Sequence, residues 1–490
     1  MRAPIVGPAI KPIHPWLRKI GVSFIPGPGA DELADVVTRL LAEFELHGHW
    51  VQPLPDDQTD VILTTARWGE TVNWREAALF SARRRFQLNR TPTVYTLVKI
   101  TRAQMQTTLD TFAQILTQEP PDPAAYDFPG LSPTAYRVLF EQGKRGGPML
   151  SLERLIQAQA KSIRVLLVVG EAEPEAVYHL DLVGAFPKSE ASDRESLYAD
   201  VVLRIVTTLS TREVTQHLAV GEAVPQAVWK GLTTPSAMKR AGGELGQRNF
   251  FTEMVTISNL VSVPAVTAGV ANQYSEGCFS TWDPVLGALI ATVTGSARPV
   301  YKGGITEDDL AVIVGVREGG IGALVRHVEG KRNDPPSTEA VEMMLMDAHL
   351  PRVPLDAGFG ATGQAPVVRS KLHGHRGISA YAPNRVEYLP LDPPYYHYPV
   401  SCATEAQAHG IETAFARSEA LQNPDDPRQV AFTVLPGHGV VIAEKWTANK
   451  APFQLMWEYM DAGWLQVSSR IPQGAMSYES GSNELMILKE

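Results

Sequence analysis

The alternation of strand-like and helix-like segments over the first third of the chain constrains its fold most strongly. Short apolar runs with strand composition occupy residues 21–25, 60–65 and 93–100. Segments with helical apolar spacing follow them at residues 31–46, 73–87 and 102–116. This order is typical of an open parallel sheet covered by helices, because a crossover helix must connect neighbouring parallel strands.

A second block begins after a proline-rich stretch at residues 119–133. Residues 162–170 (SIRVLLVVG) form an uninterrupted apolar run, which is typical of a strand buried on both faces. A helical pattern at residues 195–209 follows it. The run therefore predicts the start of a second α/β domain.

The pattern changes after residue 300. Runs rich in β-branched residues at 309–316 and 321–328 are followed by many prolines, and helical spacing returns only at 404–419. The chain then shows a strand at 429–435, a helix at 452–462 and a strand at 464–468. We predict an α/β protein with two Rossmann-like parallel-sheet domains (residues 1–150 and 151–300) and a β-rich C-terminal domain (residues 301–490).

Composition excludes several classes of protein. The 490 residues carry a formal net charge of −9, which argues against a nucleic-acid partner or an anionic membrane surface. Two cysteines, Cys278 and Cys402, are too few for a disulfide scaffold and fit a reducing compartment. No apolar run reaches the roughly 18 residues of a membrane span. We expect a cytoplasmic protein.

Motifs with a known chemistry are mostly absent. Gly27-Pro28-Gly29 lies between a predicted strand and a predicted helix, as in dinucleotide-binding proteins. The third glycine of that fingerprint is replaced by Glu32, whose carboxylate would repel a pyrophosphate. The segment is therefore interpreted as a plain strand-to-helix turn, and the sequence has no P-loop, G-x-S-x-G or H-E-x-x-H motif.

Two histidines close together form one candidate site. His373 and His375 flank Gly374, and alternate residues of a strand lie on the same face, so both rings could bind one ion. The motif has no established metal-ligand spacing. The sequence therefore favours surface histidines or hydrogen bonding to a substrate over a shared metal.

Asp283 is a second candidate. It precedes Pro284 and an apolar run with helical spacing, an arrangement that predicts a helix N-cap. A carboxylate at such a junction is also a good ligand for a hard cation. The pattern does not decide between the cap and the ligand.

His438 is a third candidate. It lies between Gly437 and Gly439, immediately before an apolar strand. A histidine between glycines at a strand edge is expected to be exposed and positioned for metal binding or acid–base chemistry. A turn histidine with no function is the alternative.

The segments around Asp283 and His438 resemble the L-fucose isomerase family, which is related in architecture to L-arabinose isomerases. Residues 281–283, 287–289 and 293–297 resemble the family's T-E-N-D turn and L-L-T-G-x-A-x-x-F stretch. Residues 437–443 (GHGVVIA) resemble its N-H-G-A-V-S-Y-G signature, followed by a helix and a short strand.

The resemblance implies a metal site of one glutamate, one aspartate and one histidine. Asp283 and His438 match the aspartate and the histidine, and Glu253 is the nearest match to the glutamate, with Glu276 and Glu244 as alternatives. Glu253 and Asp283 would also be the catalytic groups. Such an oxygen-rich site suits a divalent ion such as Mn²⁺.

The implied reaction is an aldose–ketose isomerisation of a sugar through an ene-diol, with the metal polarising the carbonyl. The resemblance also implies a homo-oligomer. Alternatives are a different carbohydrate-related reaction on the same scaffold or a non-catalytic sugar-binding protein. On composition alone, five further side chains are candidates for sugar contacts: Tyr395, Tyr396, His397, His373 and Arg376.

Overall fold

The structure is a computed structural model in which the chain divides into two units. It describes residues 19–68, 92–116, 148, 163–180, 189–190, 194–209, 216–248, 250, 253–255, 273–275, 277–294, 302–355, 363–392, 405–436, 438–447, 449–468, 477–478 and 484–489. The amino-terminal unit comprises Ile13–Ser210 and Met254–Asn272, and the carboxy-terminal unit comprises Met1–Pro12, Thr211–Glu253 and Gln273–Glu490.

The amino-terminal unit contains a seven-stranded sheet in the order β2-β1-β3-β4-β5-β6-β7. The first five strands in this order are parallel, and β6 and β7 continue the sheet in antiparallel pairs. The strands are β1 (Gly21–Phe24), β2 (Trp50–Gln52), β3 (Thr59–Arg67), β4 (Thr93–Ile100), β5 (Ile163–Val169), β6 (Ala176–Leu180) and β7 (Ser189–Glu190). The helices are α1 (Ala34–Leu46), α2 (Arg102–Leu116) and α3 (Arg194–Leu209).

The core of this unit lies between the sheet and helices α1 and α3. Val36, Leu40 and Phe44 recur at helical spacing along α1, and all three are buried. They belong to the same apolar cluster as Leu63 of β3 and Val201 of α3. Burial of this helical stripe against the sheet is the main force that holds the unit together.

The sequence prediction of a mixed α/β protein with parallel strands is confirmed. The predicted strand at 162–170 forms β5, but it pairs in parallel with β4 and so belongs to the first sheet, not to a new one. An apolar run indicates that a strand is buried and carries no information on its partner. The helix predicted at 73–87 lies outside the described residues.

The carboxy-terminal unit contains a nine-stranded sheet in the order β19-β20-β21-β17-β11-β12-β13-β14-β8. Its pairs are antiparallel except for β19–β20 and β14–β8. The strands that follow β7 along the chain are β8 (Leu218–Ala219), β9 (Glu253–Val255), β10 (Gln273–Ser275), β11 (Cys278–Asp283), β12 (Ala288–Thr292), β13 (Leu310–Val316), β14 (Ala323–Arg326), β15 (Arg352–Leu355), β16 (Gly363–Pro366), β17 (Val368–Gly374), β18 (Ile378–Tyr381), β19 (Val386–Tyr388), β20 (Val430–Leu435), β21 (Gly439–Lys445), β22 (Leu465–Val467), β23 (Ser477–Tyr478) and β24 (Met486–Lys489).

Helices cover both faces of this sheet. Leu372 of β17 packs into the cluster that contains residues of α5 and α9, whereas Cys278 of β11 packs against Met343 of α6 on the other face. The helices are α4 (Gln226–Gly231), α5 (Thr234–Gln247), α6 (Ala340–Leu345), α7 (Glu405–Ala416), α8 (Glu419–Gln422) and α9 (Gln454–Asp461). Because both faces are covered, the central strands β11, β20 and β21 are buried along their whole length.

The prediction of a helix after Pro284 is wrong. Residues 284–287 form a turn, and Asp283 of β11 pairs with Ala288 of β12 in an antiparallel hairpin. Gly287 takes the positive φ of 58° that closes the turn. The Asp283 carboxylate accepts a hydrogen bond from the Leu286 backbone N–H at 2.8 Å, so it caps a hairpin turn instead of a helix.

Among the described residues, no helix is both long and apolar enough to cross a lipid bilayer.

Replacement of Phe44 by alanine is expected to destabilise the amino-terminal unit by about 3–5 kcal/mol, because a fully buried aromatic ring leaves a cavity. Leu46 in the same helix is 77% exposed, so Leu46→Ala should change stability by less than about 0.5 kcal/mol. Hydrogen exchange of the β3 amides measures both effects. Equal exchange rates in the two variants would contradict this assignment of the core.

Candidate metal centre

Two histidines project from the end of the central strand β17. His373 pairs with Cys278 of β11 on one side and with Val441 of β21 on the other. His375 follows two residues later, just beyond the strand, so alternation places both rings on the same face of the sheet. This face is the one on which Cys278 contacts Met343 of α6.

The third histidine comes from the connection between β20 and β21. His438 lies in this tight turn, and its backbone N–H donates to the Leu435 carbonyl at 2.9 Å. Gly439 then begins β21 against the last residues of β17. A Cβ atom on Gly439 would lie 2.1 Å from the Gly374 carbonyl oxygen, so only glycine permits this close approach. The approach brings His438 beside His373 and His375.

The three rings meet through their Nε2 atoms. His438 Nε2 lies 3.1 Å from His373 Nε2 and 3.1 Å from His375 Nε2. One ligand nitrogen from each ring lies within 4.8 Å of the other two. All three residues are buried, with exposed fractions of 0% for His373, 7% for His375 and 1% for His438.

Hydrogen bonds on the far side of two rings fix their protonation. His373 Nδ1 lies 3.1 Å from the Val440 carbonyl oxygen, which can only accept, so Nδ1 carries the proton and donates it. His438 Nδ1 lies 3.0 Å from Gln407 Oε1 of α7. Gln407 Nε2 in turn donates to Glu342 Oε1 of α6 at 2.6 Å. Both rings therefore hold a proton on Nδ1 and, when neutral, a lone pair on Nε2.

Two lone pairs 3.1 Å apart repel each other unless a cation lies between them. A shared proton would require one ring to become an imidazolium in a buried site. The pKa of His373 is lowered to about 4, chiefly by burial and then by the neighbouring His375, while Glu339 acts in the opposite direction. At neutral pH a charged His373 ring is therefore disfavoured, and the arrangement favours a bound metal ion.

The two separations of 3.1 Å that involve His438 Nε2 fit a transition metal. Two nitrogens 3.1 Å apart subtend about 98° at an ion that lies about 2.05 Å from each, the usual zinc–imidazole distance. This angle lies between the octahedral and the tetrahedral values. Three imidazoles with no carboxylate suit Zn²⁺, Cu²⁺, Ni²⁺ or Fe²⁺ better than Mg²⁺ or Mn²⁺.

Carboxylates and an ammonium group surround the cluster. Glu339 and Lys302 both interact electrostatically with His373, and both are buried. The Ser337 hydroxyl donates to Glu339, and the Lys302 ammonium donates to the Gly277 carbonyl. Burial raises the pKa of Glu342 well above its usual value, and repulsion from Glu339 adds to this. The site is therefore a buried polar region inside an otherwise apolar sheet face.

Of the implied ligands whose side chains the structure describes, only His438 lies in this cluster. Asp283 is five residues further along β11 than Cys278, the partner of His373, so a rise of about 3.3 Å per residue separates it from the cluster by roughly 16 Å. One ion held by Asp283 and His438 would need the two residues from different copies of the chain. Glu253 lies in β9, and its side chain is outside the described part of the structure, as is Glu276. A Mn²⁺ ion bound jointly by Glu253, Asp283 and His438 stays a prediction.

The prediction of an exposed His438 is wrong, and His373 and His375 are not surface histidines, because the helices α6 and α7 cover this face of the sheet. Hydrogen bonding of His373 and His375 to a substrate stays a prediction. Of the candidate sugar contacts, Arg376 is half-buried, and Tyr395, Tyr396 and His397 lie outside the described residues.

The sequence contains a signal for the pair His373-Gly374-His375 but not for the complete cluster. His438 is 63 residues beyond His375, and the pairing of β17 with β21 is what brings them together. Gln407 and Glu342 carry no recognisable motif, because they act through a contact between two helices that are distant in sequence.

No protein-family model, curated protein or solved structure matches this chain. The resemblance to L-fucose isomerases therefore stays a prediction.

Gly439→Ala is expected to destabilise the carboxy-terminal unit by about 1–3 kcal/mol, because the new methyl group overlaps the Gly374 carbonyl oxygen. Gly243 in α5 is the control, since a Cβ there meets no atom within 4 Å and alanine favours a helix. Urea denaturation of both variants measures the difference. A Gly439→Ala protein as stable as Gly243→Ala would show that the two strands are not in close contact.

Proposed function

We propose that this chain is a metalloprotein in which His373, His375 and His438 bind one divalent transition-metal ion, with Zn²⁺ as the best fit. The observation that carries the proposal is the convergence of three buried Nε2 atoms, two of which hold lone pairs fixed by hydrogen bonds to Nδ1. Without a cation these lone pairs would repel each other at 3.1 Å.

Three protein ligands leave at least one coordination position for water or for a substrate oxygen. In enzymes, an ion with three histidine ligands acts as a Lewis acid that lowers the pKa of a bound water or polarises a carbonyl. We propose a Lewis-acid role for this centre.

The neighbouring groups support a catalytic role over a purely structural one. A structural zinc site is closed by four protein ligands, and among the described residues the cluster offers three. Glu339 is buried and lies near enough to His373 to affect its pKa, and we propose it as the carboxylate that accepts a proton from a bound water.

The sugar isomerase prediction is the second candidate, and it rests on His438. The resemblance implies this residue as a metal ligand, and it is one of the three residues in the cluster. Polarisation of an aldose carbonyl would be the same Lewis-acid chemistry. Incubation of the metal-loaded protein with a panel of aldoses tests it, and formation of a ketose would support it. Neither the sugar nor the assembly into a homo-oligomer follows from the described residues.

Alanine substitution at each histidine is expected to weaken zinc binding at least about 100-fold, because each removes one of three ligands. Calorimetric titration of metal-free protein with Zn²⁺ should give one site per chain for the wild type. Asp283→Ala is the matched control and should retain the wild-type affinity, since its carboxylate caps a hairpin turn. Full affinity in all three histidine variants would refute the proposal, and a loss confined to Asp283→Ala and His438→Ala would favour the site that the resemblance implies.

Removal of the metal is expected to lower the melting temperature. An ion that binds only the folded state stabilises it by about 2.7 kcal/mol at a free concentration about one hundred times the Kd. A chelator should therefore shift the unfolding transition to lower temperature, and added Zn²⁺ should restore it. The same shift in His438→Ala would show that the ion acts elsewhere.

A further inference from the structure

A chain of three side chains leads away from the proposed metal. His438 Nδ1 lies 3.0 Å from Gln407 Oε1, and Gln407 Nε2 donates to Glu342 Oε1 at 2.6 Å. All three are buried, with exposed fractions of 1%, 3% and 2%. The chain joins the turn before β21 to helices α7 and α6, and its burial limits competition from water for these hydrogen bonds.

An amide side chain can point either way, whereas an ionised carboxylate cannot donate a hydrogen bond. In its ionised form, Glu342 is therefore the member that gives the chain a direction, and the hydrogen bond from Gln407 favours that form by lowering the pKa that burial raises. Glu342 requires the NH₂ group of Gln407 on its side, which places the Gln407 carbonyl oxygen against His438. That oxygen can only accept, so the proton of the His438 ring must reside on Nδ1.

From this order of donors and acceptors we infer that Glu342 is a positioning residue for the proposed metal centre. It selects the His438 tautomer that has its lone pair on Nε2. The inference rests on the proposed metal site for its functional consequence. The choice of tautomer itself does not depend on a metal. Glu342 lies on the Nδ1 side of the ring, beyond Gln407, so it acts through His438 and does not reach the ion.

The second carboxylate oxygen supports this role. Glu342 Oε2 is buried and has no hydrogen-bond partner within the described part of the chain. A buried carboxylate with one unsatisfied oxygen destabilises the fold. The acceptor that it supplies to Gln407 is a role that offsets this cost.

Four variants separate this role from simple packing. Glu342→Leu keeps the volume but removes the acceptor, so Gln407 can rotate its NH₂ group toward His438 and place the ring proton on Nε2. Glu342→Gln keeps the shape of the side chain but can donate as well as accept, so it removes the direction without a change in packing. Gln407→Glu sets two carboxylates against each other. The double variant Gln407→Glu/Glu342→Gln restores the order, since the amide introduced at position 342 then donates to a carboxylate that accepts from His438.

The readout is the ¹⁵N spectrum of histidine-labelled, metal-free protein, in which protonated and unprotonated ring nitrogens are well separated, together with the Kd for Zn²⁺. We expect the wild type and the double variant to carry the His438 proton on Nδ1, and Glu342→Gln to lose this preference for one tautomer. Glu342→Leu should shift the proton toward Nε2 and weaken zinc binding about 10- to 100-fold, as removal of an outer-shell partner does. The double variant should bind zinc within about threefold of the wild type, and Gln407→Glu alone at least about 10-fold more weakly.

An unchanged His438 tautomer in Glu342→Leu would overturn the inference, as would a double variant no better than Gln407→Glu alone. If Glu342→Leu does not fold, the comparison of Gln407→Glu with the double variant still tests whether the order of donors and acceptors sets the His438 tautomer. A protein that shows the expected tautomers but binds no zinc would refute the metal site and leave the role of Glu342 intact. The two failures are therefore distinguishable.

Discussion

The mutual repulsion of imidazole lone pairs is the interaction on which the candidate site depends. Hydrogen bonds to the Val440 carbonyl and to Gln407 place protons on the Nδ1 atoms of His373 and His438 and leave both Nε2 atoms facing each other at 3.1 Å. Apolar neighbours cannot compensate such a contact. A cation at the point of convergence turns the repulsion into coordination, and three neutral ligands suit a divalent transition metal.

The sheet positions the cluster with few residues. His373 sits on the central strand β17, where strands on both sides fix its backbone, and His438 sits in the turn between β20 and β21 beside it. The close approach of Gly439 to the Gly374 carbonyl sets the distance between them. Sites built on paired strands hold their ligands more firmly than sites on loops, because the ladder of hydrogen bonds limits motion. The helices α6 and α7 then supply the outer hydrogen bonds.

Much of the fold could be predicted from local patterns. Strand β4 and helix α2 occur at the predicted positions, because apolar period and length specify an element type. The prediction of a helix after Pro284 is wrong, because Asp-Pro before apolar residues is compatible with a hairpin turn as well as with a helix start. Local patterns do not specify the partners of a strand. The sequence therefore did not predict that β5 pairs with β4 in the first sheet.

The candidate site was predictable only in part. The sequence pointed to His373, His375 and His438 separately, and strand alternation allowed the first two to share an ion. The burial of His373 and His375 and their contact with His438 depend on the pairing of β17 with β21, which no local pattern encodes. Asp283 is a candidate ligand in the sequence because its carboxylate precedes a turn, which is also the reason that it caps one.

X-ray absorption spectroscopy of the zinc-loaded protein decides whether the three histidines hold the ion, since it reports the atoms bound to zinc. We expect nitrogen and oxygen neighbours at about 2.0 Å, with more distant scattering that fits three imidazole rings per zinc. A spectrum that fits one imidazole with carboxylate oxygens, or one with no imidazole at all, would contradict this expectation.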